Sequence, residues 1–441
     1  MITSKEAAIN TILSHEGEFA EVKNPSYVYP PVEYYPLAPP VKSVKQLKAA
    51  LMDMDGTTTT TEVLCVYSLE MMVRRMSGRY SHDQWKGVDH GHDLPHIIGN
   101  STTRHVEYLL NTYREMLDEE TIAREFLIAA RWTLANSHDL QRRAEVMQNL
   151  KKLNLDDAPG LIDGGVSEEE WLKRFSYRLS ASNFSTRVSL GIDIYYETYH
   201  RMLAMLKAGK SAEVRSMVFG GVHSGENLIS PMPGISFLIP LLKGWLGEEA
   251  DLMADILFSD YEKSMGKVLG FSRKQELIDK ILKMGKAFEK QPVKLGLVTS
   301  SIFYEADIVI REVLEVLKID IERSRLGAAR KEKIRHAYDD YHRVYDAFVT
   351  ASDSSEIRLK PHRDLYSIAL HMAGMIPDDF DKVIGFEDSQ SGTVAIRAAG
   401  IGCSIAVPFA QTIGHNLEAA AHVLPGGVPQ AIIDYELFIK E

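Results

Sequence analysis

The sequence predicts an α/β fold with a parallel sheet core and a large, mainly α-helical domain inserted after the first strand. The sheet is predicted from five short apolar runs, which alternate with helical patterns as buried parallel strands do. The runs lie at residues 49–52, 295–298, 347–349, 383–386 and 404–407. The insertion is predicted from the long helical pattern between the first run and the second. We therefore expect a Rossmann-like core, in which ligands bind at the carboxyl edge of the sheet.

Residues 1–46 precede the first run and are predicted to form an N-terminal arm. Its first half is expected to be a short helix. Its second half holds six prolines between Pro25 and Pro40, and proline favours extended or polyproline-like backbone because it fixes φ and lacks an amide donor. We expect a strap that packs its tyrosines on the protein's own surface. A segment that docks a partner is the alternative.

The Rossmann-like core is predicted to comprise residues 47–58 and 292–441, and the inserted helical domain residues 59–291. Within the insertion, apolar residues recur at three- and four-residue spacing over 107–153, as on one face of a helix. Residues 316–345 are rich in arginine and lysine and are expected to form an exposed helical pair.

The composition excludes several classes of protein. The chain has 441 residues, of which 45% are hydrophobic and 25% charged, with a formal net charge of -11. This acidic balance, without a long basic run, argues against a nucleic-acid partner. The most apolar run, at 235–242, is too short to cross a bilayer. Two cysteines form no disulfide framework, and charges stand where a signal peptide needs an apolar stretch, so we expect a cytoplasmic protein.

The motif Asp53-Met54-Asp55-Gly56-Thr57 directly follows the first apolar run. Two carboxylates at positions i and i+2 of a strand end can face one site. Asp53 can then attack phosphorus while Asp55 moves the proton of the leaving or entering oxygen. Gly56 permits the sharp turn that follows. A merely acidic turn is the alternative to this catalytic interpretation.

Later strand ends supply complementary groups. Thr299, followed by Ser300 and Ser301, offers hydroxyl and backbone donors to a phosphoryl oxygen. Lys360 offers a positive charge. Glu387 and Asp388 add two carboxylates after the fourth run. Four carboxylates that share one place would repel one another and a phosphate, so the pattern predicts a bound Mg²⁺.

Taken in order, these four pieces resemble the haloacid dehalogenase superfamily. The motifs are the DMDGT motif at 53–57, Thr299, the KPHRDLY motif at 360–366 and the EDSQSG motif at 387–392. The stretch 385–403 looks most like the β-phosphoglucomutase-like subgroup. The likeness covers residues 49–58 and most of 292–410. Thr58 departs from the pattern, since an apolar residue usually follows the first motif.

For the first two motifs, the resemblance implies specific roles. Asp53 would be the nucleophile, with its second oxygen on the metal. Asp55 would be the general acid and base, with its backbone carbonyl on the metal. Thr299 would hold the transferring phosphoryl group with help from Ser300.

For the last two motifs, the resemblance implies that Lys360 bridges the phosphoryl group and Asp53. Glu387 and Asp388 would complete the magnesium site, one or both through water. The presence of the second acid, Asp55, argues against the dehalogenase branch of the superfamily.

The insertion resembles in position the mobile helical cap of this superfamily, although it is several times larger than usual. Its residues Asn100, Ser101 and Arg104 resemble a cap loop that contacts substrate. A plain helix N-terminus and a solvated helix-face charge are the alternative readings of these residues. The histidines and aspartates at 82–96 match no zinc spacing, so we expect them to be polar loop residues rather than a second metal site.

The sequence thus predicts a Mg²⁺-dependent phosphatase that hydrolyses a small phosphorylated metabolite through an aspartyl-phosphate. A phosphomutase of the β-phosphoglucomutase type would use the same core and is the first alternative. A non-catalytic binding or scaffold protein and a phosphonate hydrolase, which would need a Schiff-base lysine from the cap, are further alternatives.

Overall fold

The computed structural model divides the chain into two compact units, residues 1–60 with 229–441 and residues 61–228. We call them the sheet unit and the inserted unit. The side chains of Glu62, Pro95, Asp163 and Glu356 are not described. The structure describes all residues except 1–2, 16, 25–27, 90, 98–101, 138, 164, 177–182, 221–226, 410–411, 413 and 441.

The N-terminal arm combines a helix with a hairpin. Its elements, with the first two strands that follow, are α1 (Lys5–Leu13), β1 (Phe19–Lys23), β2 (Val32–Pro36), β3 (Ala49–Asp53) and β4 (Thr59–Thr60). The predicted helix is present, capped by the Ser4 side chain. The proline-rich half is extended but is not a free polyproline strap, because β2 pairs antiparallel with β1.

The regular secondary structure in the described part of the inserted unit is entirely helical. Its helices are α2 (Glu62–Ser77), α3 (Leu94–Ile97), α4 (Thr102–Thr112), α5 (Glu119–Asn136), α6 (Leu140–Lys152), α7 (Ala158–Asp163), α8 (Glu168–Phe175), α9 (Phe184–Lys207) and α10 (Ser211–Phe219). The central helices α2, α5 and α9 pack on one another around a core that includes Phe126 and Trp171. Arg75 crosses this core and forms ion pairs with Glu125, at 2.8 Å, and with Glu197.

The sheet unit continues after the insertion with alternating strands and helices. They are β5 (Ser230–Pro231), α11 (Ile235–Leu242), α12 (Ala254–Met265), α13 (Phe271–Lys290), β6 (Lys294–Val298), α14 (Phe303–Arg323), α15 (Ala328–Ala337), α16 (Tyr341–Val344), β7 (Ala347–Val349), α17 (Asp364–Met372), β8 (Val383–Glu387), α18 (Gln390–Ala398), β9 (Cys403–Ala406), β10 (His422–Val423) and α19 (Gly427–Ile433). Short 3₁₀ helices lie at Arg114–Met116, Gly247–Met253, Ala351–Asp353, Glu356–Arg358, Pro377–Lys382 and Glu436–Phe438.

Six strands form the main sheet of the described residues, in the order β10-β9-β8-β3-β6-β7. Every neighbouring pair in it is parallel. The predicted α/β class is therefore confirmed, and the five apolar runs are its five longer strands. All residues of β3, β8 and β9 are buried, as expected for parallel strands covered on both faces. Parallel strands also bring the carboxyl ends of β3, β6 and β8 to one edge.

The C-terminal boundary of the insertion differs from the predicted one. The inserted unit ends at residue 228 rather than at 291, and residues 229–291 belong to the sheet unit. All eight residues of α11 are buried, and the amide of Val293 donates to the carbonyl of Leu242 at 2.8 Å. A helix that is apolar on every side must be covered all round, which places α11 inside the sheet unit.

The segment 316–345 contains the two helices α15 and α16, and most of α15 is exposed as expected, but one of its basic residues forms internal ion pairs. Arg330 lies in α15 and pairs with Glu249 at 3.0 Å and with Glu289 at 3.1 Å. The buried ring of Tyr338 packs edge-on against Trp245, with 5.9 Å between their centroids. Arg330 therefore neutralises carboxylates of the 229–291 segment rather than facing solvent alone. In the described part of the chain, no helix is both long and apolar enough to cross a membrane.

Candidate active site

The turn after β3 holds Asp53 at the centre of the sheet edge. The amide of Met54 donates to the carbonyl of Val298 on β6 at 3.2 Å, which ties the turn to the neighbouring strand. Gly56 has φ +81°, and a Cβ there would lie 2.8 Å from Asp388 Oδ2. Only glycine therefore combines this backbone conformation with the close approach of the carboxylate.

The contacts of Thr58 account for a threonine at the position where an apolar residue is usual. Its side chain is fully buried, and its Oγ1 donates to the backbone carbonyl of Asp53 at 2.6 Å. A buried hydroxyl needs such a partner, and here the bond links the turn back to the candidate nucleophile.

Asp55 faces the loop after β6. Its Oδ2 accepts hydrogen bonds from Thr299 Oγ1 at 3.0 Å and from Ser301 Oγ at 3.2 Å. The amide of Ser301 donates to Thr299 Oγ1 at 2.9 Å, which fixes the threonine hydroxyl. Ser300, the predicted helper of Thr299, is exposed. Ser301, grouped with Thr299 and Ser300 as a phosphoryl donor in the sequence analysis, instead donates its hydroxyl to Asp55.

Lys360 lies between two strand ends. Its buried ammonium donates to Asp53 Oδ1 and, at 2.6 Å, to Glu387 Oε1. Burial alone would lower the pKa of Lys360, but the charges of Asp53 and Glu387 outweigh it and raise the pKa above its ordinary value. The lysine therefore remains a cation at every working pH.

Glu387 is held by donors on both oxygens. Oε2 accepts from the amides of Asp388 and Ser389, both at 3.1 Å, and from Ser389 Oγ at 2.9 Å. Oε1 accepts from Tyr366 Oη at 3.3 Å as well as from Lys360. The sequence motifs contain Ser389 and Tyr366, but neither residue was assigned a role from sequence, because neutral hydroxyls that orient a carboxylate leave no charge pattern.

Three buried carboxylates meet at this edge. Asp53, Glu387 and Asp388 each offer an oxygen, and the three oxygens lie within 4.8 Å of one another. Burial is the largest cause that raises the pKa of Asp53 and of Asp388, and the charge of Glu387 raises both further. Lys360 supplies only one positive charge against three carboxylates. Hard oxygen donors with excess negative charge are the ligand set that Mg²⁺ takes, so these residues fit a magnesium ion.

The predicted cap residues are placed only in part. Asn100 and Ser101 lie outside the described residues, and Arg104 is exposed on α4.

The buried carboxylate of Asp93 accepts hydrogen bonds from Tyr108 at 3.0 Å, from the Asp89 amide at 2.9 Å, and from Tyr113. Asp93 is thus an internal anchor of its loop. Among the residues that the structure describes, the histidine-rich segment forms no cluster suited to a metal.

The sheet order and the four motifs gathered at its carboxyl edge make the fold haloacid dehalogenase-like, as the sequence predicts. No protein-family model matches the chain, and no curated protein matches it. Solved structures do match. CbbY from Rhodobacter sphaeroides, in complex with phosphate, is 13% identical with a TM-score of 0.39, over 88% of this chain and 96% of its own.

Two further solved structures match at similar strength. The β-phosphoglucomutase from Clostridium difficile is 14% identical with a TM-score of 0.34, over 89% of this chain and 96% of its own. A hydrolase from Pseudomonas syringae is 13% identical with a TM-score of 0.35, over 89% of this chain and 100% of its own. Matches of this strength carry no information on the activity of the chain.

Proposed function

We propose that the protein is a Mg²⁺-dependent phosphatase that hydrolyses a small phosphorylated metabolite through an aspartyl-phosphate on Asp53. The observation that supports this most is the convergence of distant residues at one sheet edge. Asp53 lies against Lys360, Lys360 lies against Glu387 at 2.6 Å, and Asp55 lies against Thr299 at 3.0 Å. These groups supply a nucleophile, an acid and base, and donors for a phosphoryl group.

In the first half-reaction, a carboxylate oxygen of Asp53 attacks phosphorus. The new O–P bond forms as the bond from phosphorus to the substrate oxygen breaks, and Asp55 gives its proton to the departing oxygen. The hydroxyls of Thr299 and Ser301 hold the Asp55 carboxyl in place at 3.0 and 3.2 Å. A fixed acid near the leaving oxygen lowers the cost of orientation at the moment of reaction.

In the second half-reaction, a water attacks the phosphorus of the aspartyl-phosphate. Asp55 takes the proton of this water, the bond between phosphorus and the Asp53 oxygen breaks, and inorganic phosphate leaves. Asp53 returns to its carboxylate form and Asp55 to its protonated form, so the cycle closes without another reactant.

Negative charge on the transferring group is stabilised by Lys360 and by donors of the Thr299-Ser300 loop. Mg²⁺, held by Asp53, Glu387 and Asp388 with the backbone carbonyl of Asp55, would neutralise phosphate charge and orient it. The donors on Glu387, including Ser389 Oγ at 2.9 Å, keep this carboxylate turned toward the site.

The inserted unit is proposed to act as a cap that chooses the substrate, with Asn100, Ser101 and Arg104 among its substrate contacts. Arg104 carries an exposed positive charge suited to a second anionic group of a metabolite. Replacing Arg104 by alanine is then expected to raise KM more than it lowers kcat. The same change at Arg114, also exposed in the inserted unit, is the matched control. Equal KM values for the two variants would remove Arg104 from the substrate site.

A screen of phosphorylated metabolites with Mg²⁺, reading free phosphate, tests the proposal. Asp53→Asn is expected to release no phosphate while keeping its thermal unfolding midpoint, whereas Asp381→Asn, at an exposed carboxylate, keeps full activity. Phosphate release by Asp53→Asn would refute the nucleophile assignment. Isomerised sugar phosphate in place of free phosphate, when a sugar bisphosphate is supplied, would identify a phosphomutase instead.

A further inference from the structure

The arm hairpin, formed by β1 and β2, packs against the helix that follows the metal-site carboxylates. Val22, Tyr35 and Leu37 of the arm form a buried cluster with Ala398 of α18. This helix begins at Gln390, directly after Glu387, Asp388 and Ser389. The arm therefore lies beside the chain segment that supplies two of the three clustered carboxylates.

The same hairpin also reaches the loop that carries Lys360. The Tyr35 hydroxyl lies 2.7 Å from His362 Nδ1, 2.9 Å from Arg358 Nη1 and 2.5 Å from Glu33 Oε2. Tyr35 and His362 are 8% and 4% exposed, so water competes little for these bonds. Lys360 lies midway between Arg358 and His362 in the sequence, and the tyrosine thus contacts its loop on both sides.

The chemistry of the partners determines the direction of each bond. The Glu33 carboxylate only accepts and the Arg358 guanidinium only donates, so the Tyr35 hydroxyl donates to Glu33 and accepts from Arg358. His362 can then meet the hydroxyl only as a donor, through Nδ1–H. Burial, and after it the charge of Arg358, lowers the pKa of His362, which fits a neutral ring with its hydrogen on Nδ1. The Tyr35 hydroxyl then donates one hydrogen bond and accepts two, so its bonding capacity is filled.

Arg358 extends the anchor along the loop. Its Nε and Nη2 donate to the two oxygens of Asp364, both at 3.0 Å, at the first residue of α17. A bidentate pair fixes the guanidinium plane as well as its position. The segment from Arg358 to Asp364 is therefore held by one rigid fork and by the tyrosine hydroxyl, with Lys360 between these attachments.

We propose that Tyr35 is a positioning residue for Lys360, and that the N-terminal arm is a part of the active-site scaffold rather than a passive strap. The inference rests on the proposed function, because it assigns the lysine a role in phosphoryl transfer. Lys360 must reach two carboxylates at once, and errors of about 1 Å in such a group cost on the order of 100-fold in rate. Removal of the tyrosine hydroxyl leaves the buried Nδ1–H of His362 without its acceptor. Arg358 loses one of its acceptors, and both changes loosen the loop around the lysine.

The test compares Tyr35→Phe with Tyr34→Phe on the enzyme's best phosphorylated substrate. Tyr34 is 63% exposed and points to the other face of the same strand, where its hydroxyl contacts Glu21 at 3.1 Å. We expect Tyr35→Phe to lower kcat by about 10- to 100-fold with little change in KM, and Tyr34→Phe to match the parent. In a Lys360→Ala background, Tyr35→Phe should have no further effect. Equal kcat values for the two tyrosine variants, or an undiminished effect without Lys360, would overturn the proposal.

Amide hydrogen exchange supplies a readout that does not depend on activity. Tyr35→Phe is expected to speed exchange across residues 358–364, and Tyr34→Phe to leave it unchanged. If the parent protein releases no phosphate from any substrate, the proposed function fails, while the exchange rates still decide whether Tyr35 holds this loop. If Tyr35→Phe does not fold, His362→Asn and His362→Leu replace it. Asparagine keeps a donor near the Nδ1 position and should retain kcat, whereas leucine should not, and equal losses in both would overturn the proposal.

Discussion

Lys360 joins the ends of two neighbouring strands, because its ammonium donates to Asp53 on β3 and to Glu387 on β8. The two carboxylates belong to residues 334 positions apart in the sequence (387 minus 53). The ammonium group that they share offsets the repulsion between these two buried carboxylates. The lysine is therefore both a structural counter-ion of the site and its candidate phosphate-binding cation.

Lys360→Ala is expected to lower the rate at saturating substrate by about 100- to 1000-fold, because one preorganised donor to the transferring group is lost. Steady-state phosphate release checks this. Lys382→Ala is the matched control, since Lys382 forms a partly exposed pair with Asp379 and such pairs matter little. A rate for Lys360→Ala within about threefold of the control would place Lys360 outside the reaction.

Asp388→Asn is expected to weaken Mg²⁺ binding by about 10- to 100-fold, the usual effect on metal affinity of a mutation at a metal site. Without metal, the variant should be as stable as the parent or more stable, because repulsion within the carboxylate cluster is relieved. The check is the thermal midpoint at increasing Mg²⁺, since a ligand that binds only the folded state raises it by mass action. Asp381→Asn should titrate like the parent protein. A midpoint that does not respond to Mg²⁺ in the parent would count against the metal site.

The charged centre of the site was predictable because its chemistry is visible in the sequence. Buried parallel strands are continuous apolar runs, and a carboxylate directly after such a run must lie at the sheet edge. Asp53, Glu387 and Asp388 met this condition, and the structure brings them within 4.8 Å. The Tyr366 hydroxyl, which donates to Glu387, carries no such signal, because its importance depends on which distant residue it meets.

The boundary of the insertion and the pairing of the arm were not predictable for related reasons. Helical periodicity indicates a helix and the face it buries, but not the neighbour that covers this face. Helices α11 and α13 therefore looked like a continuation of the insertion. The prolines of the arm indicated extended backbone, yet the partner strand β1 is short and mostly exposed, so it leaves no buried apolar run. The two-residue strand β10, at His422–Val423, is too short to leave any pattern.

Asp346→Asn is expected to remove a pH-dependent part of the stability of the sheet unit. Asp346 accepts from Lys294 at 2.8 Å and from Lys243 and the Leu295 amide at 3.0 Å. Burial would raise its pKa, but these donors outweigh burial and lower it below the ordinary 3.8. A lowered pKa in the folded state stabilises the fold at pH values above 3.8, and this stabilisation is lost as pH falls through the folded-state pKa.

Urea unfolding at several pH values measures this effect. At pH 7 the variant should lose about 1.5–3 kcal/mol of unfolding free energy, the usual value of hydrogen bonds to a charged group. The difference from the parent should shrink as pH falls from 5 toward 3. Asp381→Asn, at an exposed position, should have the same free energy of unfolding as the parent at pH 7 and at pH 3. A gap for Asp346→Asn that stays constant with pH would show that the carboxylate is not held in its charged form.

Gly392→Ala tests whether the space beside the Glu387 carboxylate matters more than the higher helix propensity of alanine. In the middle of a helix, alanine normally stabilises by about 0.5–1 kcal/mol relative to glycine. At Gly392 in α18, however, a Cβ would collide with the Glu387 carboxylate. Gly160→Ala, within α7, is the matched control because nothing lies within 4 Å of its added Cβ. We expect Gly160→Ala to raise the thermal midpoint, and Gly392→Ala to lower it and to weaken the response to Mg²⁺. A stabilised Gly392→Ala variant with an unchanged Mg²⁺ response would mean that the position of Glu387 next to this helix is not required for the metal site.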